Sequence, residues 1–544
     1  MKFIAKRNFI NTVADWCCIE YFKISATHLQ YDTFYTIFNI VVLKGDMEII
    51  IGIDLISSNI TTFAYRFQSI ELIPMKFGAS SGCRSFPPFI SLSGDGKLLL
   101  GDAAKRKVVT SPQSTLGSPL RMIGTDFKFT FLEKEMFPEQ ILALILRSIK
   151  KEAEDYLKKD VEKAVLAIPQ CYGFKKRARI EEAAKIAGFT KIRSVGQSLL
   201  GSLMFTFHNM NFDGNIISLT IGSDFAEASV IETSRGVAEV LSVSCDLKLG
   251  ENSIDKTLTN LVINKYKEQE KFGLNFGISE TLRLMEECEE AKIDLNQSLS
   301  TEIFIPNLFQ IDDKPKDLRI GINRVDFENA IKPIIDKILR LMDDALSQSF
   351  TAKKYISKII ISGSGSRLHS IRAAIEGYFG IKVNPVYDPS EIVAEGAALL
   401  AGVLQGDIKN LLLLNSISLD LYVQLENGEP RELYKRNLTI PTFKTIEYDN
   451  VVSYRDYVTF RIFEDVRDQN EPILEYKVNI INSSSKKVNK IIVKLEVDPD
   501  SNFKFVFMNG DTMQFLNFEI ISSVFRQKEI IEEMKVQCKK IIPD

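Results

Sequence analysis

The sequence predicts a large α/β body, an all-β domain after it and a short C-terminal helix. Two observations predict the body. A strand, a polar turn and a returning strand open each of its halves, and alternating helical and strand patterns follow each hairpin. A third observation predicts the β domain, because apolar and polar residues alternate with period two beyond about residue 406. At 544 residues the chain has room for about three or four domains.

Composition narrows the function classes. Apolar residues at 45% and charged residues at 26% are typical of a globular protein with a full-sized core. The net charge of -3 gives no electrostatic reason for direct nucleic-acid binding. No apolar run approaches the roughly 18 residues of a membrane span, so we predict no membrane partner. Seven cysteines without paired ligand spacings favour a reducing, cytoplasmic compartment over a disulfide framework or a zinc site.

The first hairpin of the body lies in "MEIIIGIDLISSNITTFAY", residues 47–65. Its turn follows Asp54 and contains the hydroxyls of Ser57 and Ser58, which together with backbone N–H groups can hold a phosphate and a metal. The turn contains no glycine, so it is either a nucleotide site or the remnant of one. Residues 1–46 are expected to be a poorly ordered N-terminal extension, with Met47 as the natural start.

Helices and strands then alternate. A helix is predicted from Pro138, since apolar residues recur every three or four positions and proline suits a helix start. A buried strand at 164–168 and a helix ending at Gly188 follow. The second half repeats the theme with a strand, a Gly222-Ser223-Asp224 bend and a strand, and later a buried strand with a glycine-serine turn. This repetition predicts a duplicated α/β domain with a cleft between two lobes.

Around residue 406 the pattern changes. Four leucines, residues 411–414, lie between polar flanks and are interpreted as a tether, with the start of a strand as the alternative. Alternating segments predict strands beyond it, and the stripe of Val458, Phe460 and Ile462 is interpreted as core rather than peptide groove. A last helix is predicted from Val524 to about Lys540.

In this order the segments resemble the heat-shock protein 70 or DnaK chaperone family, from about residue 47 to about residue 515. The motifs are "IGIDL", "GDAAK", "AVLAIPQCYGFKKRARIEEAAKIAGF", "CEEAK", "SGSGSRL", "DPSEIVAEGAALLAG", "NLLLLN" and "YKRNLTIPT". The resemblance implies an actin-like two-lobed ATPase domain at 47–405, an interdomain linker at 406–415 and a β-sandwich peptide-binding domain at 416–515. Residues 516–544 would form a short C-terminal helical segment.

The resemblance implies ATP or ADP with Mg²⁺ as the cofactor. Asp54 would orient the metal through water, as hard oxygen ligands suit Mg²⁺. Glu289 and Lys292 match the adenine-contacting positions. The positions that match cofactor-binding residues of the family are Asp54, Ser57, Ser58, Gly222, Gly250, Glu289, Lys292, Gly363 and Arg367.

Several positions depart from the family pattern. Ile56 stands where the family's turn has glycine, and Leu120 stands where it has the catalytic lysine. Gln197 replaces an acid of the metal pathway. In the second phosphate loop Thr220 replaces an aspartate and Phe225 a hydroxyl. Losing one preorganised charge on the transferring phosphoryl group typically costs about a hundred- to thousand-fold in rate, so we predict that hydrolysis is lost or very weak.

The predicted function is a divergent heat-shock-70-type chaperone or co-chaperone that binds unfolded or nascent polypeptide and a J-domain co-chaperone. One alternative is a non-catalytic, ribosome-associated scaffold paired with a J-domain protein. Another is a nucleotide-exchange partner of a conventional relative, although such proteins usually keep a long helical region. An actin-fold sugar kinase is disfavoured by the linker and β domain. The C-terminal helix is far shorter than the family's helical lid, so we predict that it does not close over a bound peptide in the usual way.

Overall fold

The computed structural model describes residues 49–543, apart from gaps at 56–58, 78–82, 96, 112–113, 271–275, 312–313, 385–386, 427, 450, 452–455, 465–471, 481–487 and 500. The predicted N-terminal extension at 1–46 lies outside the described residues. Within them, no helix is both long enough and apolar enough to cross a membrane.

Lobe I, which spans residues 49–196, is built on a mixed sheet with the strand order β11-β10-β1-β2-β3, and β4 pairs with β2. β1 runs parallel to β10 and antiparallel to β2. The helix α3 starts with Pro138 in its first turn, as the sequence predicts. The elements of lobe I are β1 (Ile50–Leu55), β2 (Ile60–Arg66), β3 (Ser69–Leu72), β4 (Ser85–Phe86), β5 (Ile90–Leu92), β6 (Leu98–Leu100), α1 (Asp102–Lys105), α2 (Lys107–Thr110), β7 (Thr115–Leu116), β8 (Phe129–Phe131), β9 (Lys134–Met136), α3 (Pro138–Leu157), β10 (Lys163–Ile168), α4 (Phe174–Ala187) and β11 (Lys191–Gly196).

Lobe II, which spans residues 197–405, repeats the plan around a second sheet with the order β17-β12-β13-β14. A long hairpin, β15 with β16, packs beside α7. The elements of lobe II are α5 (Gln197–His208), β12 (Asp213–Ile221), β13 (Ala226–Ser234), β14 (Val237–Asp246), α6 (Glu251–Glu270), α7 (Ile278–Gln297), β15 (Ser300–Ile311), β16 (Lys314–Asn323), α8 (Arg324–Gln348), β17 (Ile356–Ser362), α9 (His369–Phe379) and α10 (Ile392–Gln405).

The helices α5 and α10 connect the two lobes, because one hydrophobic cluster joins their buried faces to both sheets. Two glycines make this close packing possible. A Cβ on Gly52 would lie 2.3 Å from the backbone nitrogen of Ala398, and one on Gly396 would lie 2.2 Å from the carbonyl oxygen of Leu200. Side chains at either position would therefore force the helices away from each other or from β1.

The predicted tether continues the sheet of lobe II. β18 (Leu412–Leu414) pairs in parallel with β14, with Leu412 opposite Val237. Leu411 and Leu413 are buried in the same cluster as α5 and α10. The leucines therefore form a docked strand, and they anchor the segment between the two domains to the edge of the lobe II sheet.

The β domain is a sandwich of two antiparallel sheets, with the orders β20-β19-β22-β23-β26 and β21-β24-β25. Val458, Phe460 and Ile462 are buried in its core, which agrees with their interpretation as core. β26 extends the sandwich past residue 515, into the segment that the sequence predicts as helical. The strands are β19 (Leu421–Leu425), β20 (Arg431–Tyr434), β21 (Thr442–Tyr448), β22 (Tyr457–Glu464), β23 (Leu474–Asn479), β24 (Ile491–Val497), β25 (Phe503–Asn509) and β26 (Phe518–Ser523).

The last helix, α11 (Lys528–Ile541), packs on lobe I against α3 and α4. Met534 and Cys538 are buried in the lobe I core. The sandwich also meets this lobe, since the ring of Phe174 stacks on that of Phe503 with centroids 4.9 Å apart. Both ends of the β domain are thus docked on the α/β body, an arrangement that the sequence pattern did not predict.

Candidate functional site: the interlobe cleft

The first predicted phosphate hairpin is formed by β1 and β2. Asp54 lies on β1, opposite Thr61, and is buried. The turn itself, with Ile56, Ser57 and Ser58, lies outside the described residues. The structure therefore locates the acid of this hairpin and leaves the roles of its two serines as predictions.

Asp54 meets Gln197, which begins α5. The Nε2 of Gln197 donates to Oδ1 of Asp54 at 2.5 Å, while Oδ2 of Asp54 and Oε1 of Gln197 are buried without a hydrogen-bond partner. Burial raises the pKa of Asp54 to about 8, and the hydrogen bond from Gln197 only partly opposes this. Two adjacent orphan oxygens fit a hard cation such as Mg²⁺, whose ligands are oxygens. Asp54 and Gln197 would hold that ion, and its charge would neutralise a phosphate.

Leu120 lies in a short 3-10 turn, Pro119–Arg121, and only 2% of its surface is exposed. It belongs to the hydrophobic core of lobe I. A lysine here would have to bury its ammonium group or move the turn, and burying an unpaired charge is strongly unfavourable. The turn therefore fits an apolar residue at position 120, and it places this side chain in the core of lobe I.

Arg121, the next residue, forms an ion pair across the cleft from lobe I to lobe II. Its Nε donates to Oδ2 of Asp224 at 2.8 Å, and Asn252 donates from Nδ2 to Oδ1 of the same carboxylate at 2.5 Å. Asp224 lies in the predicted second phosphate loop, next to Phe225. The protein thus places its own anion and its own cation together at the predicted phosphate end of the cleft.

The rest of the second loop is filled by Phe225. Its ring is 3% exposed, and a Cβ on Gly222 would lie 2.3 Å from its Cε1 atom. The N–H of Gly222 donates to the carbonyl of Phe225 at 2.9 Å. Thr220 lies deeper in β12, where its hydroxyl pairs with that of Ser362 at 2.7 Å. Neither Thr220 nor Phe225 presents a charge to the cleft.

The start of α6 closes onto this loop. The backbone N–H groups of Glu251 and Asn252 donate to the carbonyls of Gly222 and Ser223, each at 2.9 Å. A Cβ on Gly250 would lie 2.5 Å from the Ser223 carbonyl oxygen, so glycine is required there. Two of the N–H groups at the N-terminus of α6, which have no partner inside the helix, are therefore hydrogen-bonded to the loop.

At the predicted nucleoside end, Lys292 on α7 is 6% exposed and forms ion pairs with Glu251 at 2.7 Å and Asp255 at 2.6 Å. Burial raises the pKa of Asp255 to about 6, which the ammonium group of Lys292 partly opposes. Glu289, one turn earlier on α7, accepts from Lys105 of lobe I at 3.2 Å. The cleft is therefore bridged by ion pairs at both ends.

Gly363 and Arg367 flank the last turn, after β17. Gly363 has φ of +84°, and its N–H donates to the carbonyl of Pro389 at 2.6 Å. Arg367 donates to Asp388 and to Ser390, each at 2.8 Å. The positive φ makes Gly363 the residue that the turn requires.

Glu251, which the sequence analysis missed, joins Lys292 to the last turn. Glu251 accepts from Lys292 and from the hydroxyl of Ser364 in the last turn. It follows Gly250 directly, so the helix start after that glycine was an available signal. Asp54 and Gln197 form a second group at the base of the hairpin.

A third group was also missed. Glu227 on β13 is fully buried and accepts from the backbone N–H of Gln170 at 2.5 Å and from the hydroxyl of Ser198 at 2.5 Å. A glutamate within the run of small and apolar residues 226–231 was the available signal. Beside it, Cys171 and Cys245 form a disulfide. The number and spacing of the cysteines argued against a disulfide framework. They did not reveal this pair, because residues 74 positions apart meet only through the packing of the lobes.

The fold and the cleft define a class: a two-lobed α/β domain with hairpins facing the cleft, joined by a docked strand to a β-sandwich. The model of the family "Hsp70 protein" matches residues 128–542. The chain is 30% identical over 497 residues to chaperone protein DnaK of Thermoplasma acidophilum, covering 91% of this chain and 81% of that relative. It is 32% identical over 454 residues to chaperone protein DnaK of Methanothermobacter thermautotrophicus, covering 83% and 76%.

This chain belongs to the Hsp70 family of chaperones. The resemblance on the motifs and the predicted fold class are both confirmed. At identities of about 30%, the residues of the cleft can differ from those of the relatives, as the sequence analysis predicts for the positions described above.

Proposed function

We propose that this protein is a cytoplasmic, divergent Hsp70-type chaperone or co-chaperone that assists protein folding and hydrolyses ATP very weakly or not at all. In this proposal its cleft binds ATP or ADP as a structural ligand. The burial of Leu120 in the core of lobe I is the observation that supports the loss of hydrolysis most directly. The apolar side chain of Leu120 cannot supply a positive charge to a transferring phosphoryl group.

The neighbouring side chains add to this argument. Arg121, the nearest cation in sequence, is held by Asp224, and the second loop is filled by Phe225. Removing one preorganised charge costs about a hundred- to thousand-fold in rate. Several such changes in one cleft favour a rate far below that of a working ATPase.

The nucleoside end supports retained binding. Glu289 and Lys292 lie on α7, and Arg367 lies in the turn after Gly363; each is held by an ion pair that a ligand could exchange. Asp54 and Gln197 would hold the Mg²⁺ that accompanies the phosphates. A bound nucleotide would then replace the bridge between Lys105 and Glu289 as the contact between the lobes.

Unfolded or nascent polypeptide is the proposed partner of the sandwich. β26 is the last strand of its sheet in the described part of the chain, and Phe518, Ile520 and Ile521 on it are 41%, 57% and 52% exposed. An extended segment can add to such an edge through main-chain hydrogen bonds and place side chains against the apolar row. A J-domain co-chaperone is the proposed partner of the whole molecule.

Calorimetric titration with ATP and ADP plus Mg²⁺, followed by single-turnover hydrolysis, tests the proposal. We expect binding without measurable hydrolysis. Arg367→Ala should weaken binding, because it removes a group at the nucleoside end, whereas Lys504→Ala on the sandwich should not. Hydrolysis at the rate of a conventional relative, measured in parallel, would contradict the proposal.

The second candidate is a non-catalytic, ribosome-associated scaffold paired with a J-domain protein. One observation favours it: α11, the helix that follows the sandwich in the chain, packs on α3 and α4 of lobe I. Absence of nucleotide binding in the titration, with co-sedimentation on ribosomes, would favour this scaffold over the first candidate.

A further inference from the structure

Two cysteines meet across the cleft. Cys171 belongs to lobe I, between β10 and α4, and Cys245 is the residue before the last of β14 in lobe II. Their Cα atoms lie 6.1 Å apart, inside the range that a disulfide accommodates, and the two residues are disulfide-bonded. Both are partly exposed, so a small reagent can reach them.

The chain beside Cys171 contacts the linker. Gln170 donates from its backbone N–H to Glu227 at 2.5 Å, and from Nε2 to Oδ1 of Asn415 at 3.1 Å and to the carbonyl of Ser416 at 3.0 Å. One residue therefore touches both lobe II and the segment that leads into the sandwich. A displacement of Cys171 would therefore move Gln170 and change these hydrogen bonds.

The strand that carries Cys245, β14, leads to the second phosphate loop at one end and pairs with the docked linker strand at the other. Glu227 lies opposite Cys245 in the register of β13 and β14. Residues after Cys245 lead to Gly250 and the start of α6, which closes onto the loop. The other end of β14 pairs with β18. The cysteine pair thus lies between the phosphate end of the cleft and the linker.

We propose that Cys171 and Cys245 form a thiol–disulfide switch that fixes the two lobes, and with them the docked linker, when it is oxidised. When it is reduced, the lobes and linker are free to separate. This inference goes beyond the proposed function and does not depend on whether the cleft binds nucleotide. A link across the lobes restricts their opening because it removes the separated arrangements from the accessible ensemble.

The chemistry is an exchange with a low-molecular-weight disulfide. The thiolate of one cysteine attacks a sulfur of that disulfide, which releases one small thiolate and leaves a mixed disulfide. The second cysteine thiolate then attacks the protein sulfur of the mixed disulfide and releases the second small thiolate. The protein loses two electrons and two protons, and the small disulfide gains them as two thiols.

Other cysteines of the described chain are poor competitors for this exchange. Cys288 and Cys538 are buried, and burial raises the pKa of each thiol to about 12, so the reactive thiolate is scarce at neutral pH. Cys83 is partly exposed and provides the matched control.

The test compares full-length protein kept in dithiothreitol with protein equilibrated with oxidised glutathione. We expect oxidation to lower the intact mass by about 2 Da through loss of two hydrogens, and peptide mapping to join Cys171 to Cys245. Hydrogen exchange of the β18 amides should be about tenfold slower, or more, in the oxidised protein, given the usual size of a disulfide constraint.

Variants separate the switch from general oxidation. Cys171→Ser and Cys245→Ser should each exchange like the reduced wild type in both buffers, while Cys83→Ser should keep the full response. If either serine variant fails to fold, blocking the thiols of reduced wild-type protein with iodoacetamide gives the same comparison.

Three results would overturn the proposal. The first is free thiols at both positions in oxidised glutathione. The second is a mapped disulfide with unchanged exchange at β18. The third is tight uptake of one Zn²⁺ by the reduced protein that Cys171→Ser abolishes. In that case Cys171, Glu227 and Cys245, whose ligand atoms lie within 4.8 Å of one another, would be a metal site instead.

Discussion

Arg526→Ala should release the C-terminal helix from lobe I. Arg526 precedes α11, and its Nη2 and Nε lie 2.5 Å and 2.7 Å from Oε1 of Glu139 on α3. Glu139 is fully buried, and its Oε2 has no hydrogen-bond partner. The substitution leaves this carboxylate in the lobe with one distant cation, Arg179, whose Nε lies 3.9 Å away.

The magnitude follows from the burial of the pair. Removing one partner of a buried ion pair typically destabilises a protein by about 3–5 kcal/mol, because the other charge is left uncompensated. The guanidinium of Arg526 also lies 4.0 Å from the ring centroid of Phe137, and such a contact adds about 0.5–2 kcal/mol. Arg179 is already paired with Glu182 at 2.7 Å, so it offers limited compensation. We therefore expect a loss of about 4 kcal/mol in the docking free energy of α11.

Native-state hydrogen exchange of the α11 amides measures this directly. A loss of about 4 kcal/mol corresponds to roughly a thousandfold increase in local opening. Glu139→Gln removes the charge that needs a partner, so Arg526→Ala in that background should cost only about 1 kcal/mol. Lys535→Ala breaks only a longer i,i+3 pair with Glu532 and should change exchange by less than about 0.5 kcal/mol.

An increase in α11 opening of less than about threefold in Arg526→Ala would refute the reasoning, because it would mean that the Glu139 charge is solvated or neutral without Arg526. A similar effect of Arg526→Ala with and without Glu139→Gln would also refute it. In that case the effect would come from lost packing rather than from an uncompensated charge.

Three further predictions concern the cleft. Leu120→Lys should leave single-turnover hydrolysis at the wild-type level, because the second loop remains filled; recovery to the rate of a conventional relative would disprove this. Asp54→Asn should be increasingly more stable than wild type as the pH rises, since the folded-state pKa is raised from 3.8 to about 8. The wild-type stabilisation by the protonated carboxyl is complete below pH 3.8 and is lost as the pH rises to about 8, at roughly 1.4 kcal/mol per pH unit. Urea unfolding of both proteins between pH 5 and 8 checks it, and a constant difference would rule it out. Lys292→Met should destabilise lobe II by about 3–5 kcal/mol, because Glu251 and Asp255 lose their shared cation. Hydrogen exchange of the α6 and α7 amides in the variant and the wild type measures this loss, and unchanged rates would show that water replaces the ammonium group.

The sequence predicted the position of most elements because local patterns encode them. The helix from Pro138 and the stripe of Val458, Phe460 and Ile462 depend on periodicity and on turn residues nearby in the chain. The family followed from short motifs in a fixed order. Asp54 lies in one of these motifs, "IGIDL", and Leu120 and Gln197 lie in the further matching segments "SPLRMIG" and "VGQSLLG".

Contacts between distant segments needed the tertiary structure. Arg121 pairs with Asp224, and Glu251 joins Lys292 to Ser364. Cys171 meets Cys245 because the two lobes pack together across α5 and α10. No local pattern encodes such a pairing, since the side chains involved are ordinary in their own segments.

The sequence alone thus determined the family and the fold class, and it predicted which residues of the cleft are altered. The tertiary structure alone decided how the altered residues are used: Leu120 is buried as core, and Asp224 is neutralised by Arg121. It also decided that α11 lies on lobe I. The physical reason is that burial and charge pairing depend on distances in space, which residue type and spacing along the chain leave open.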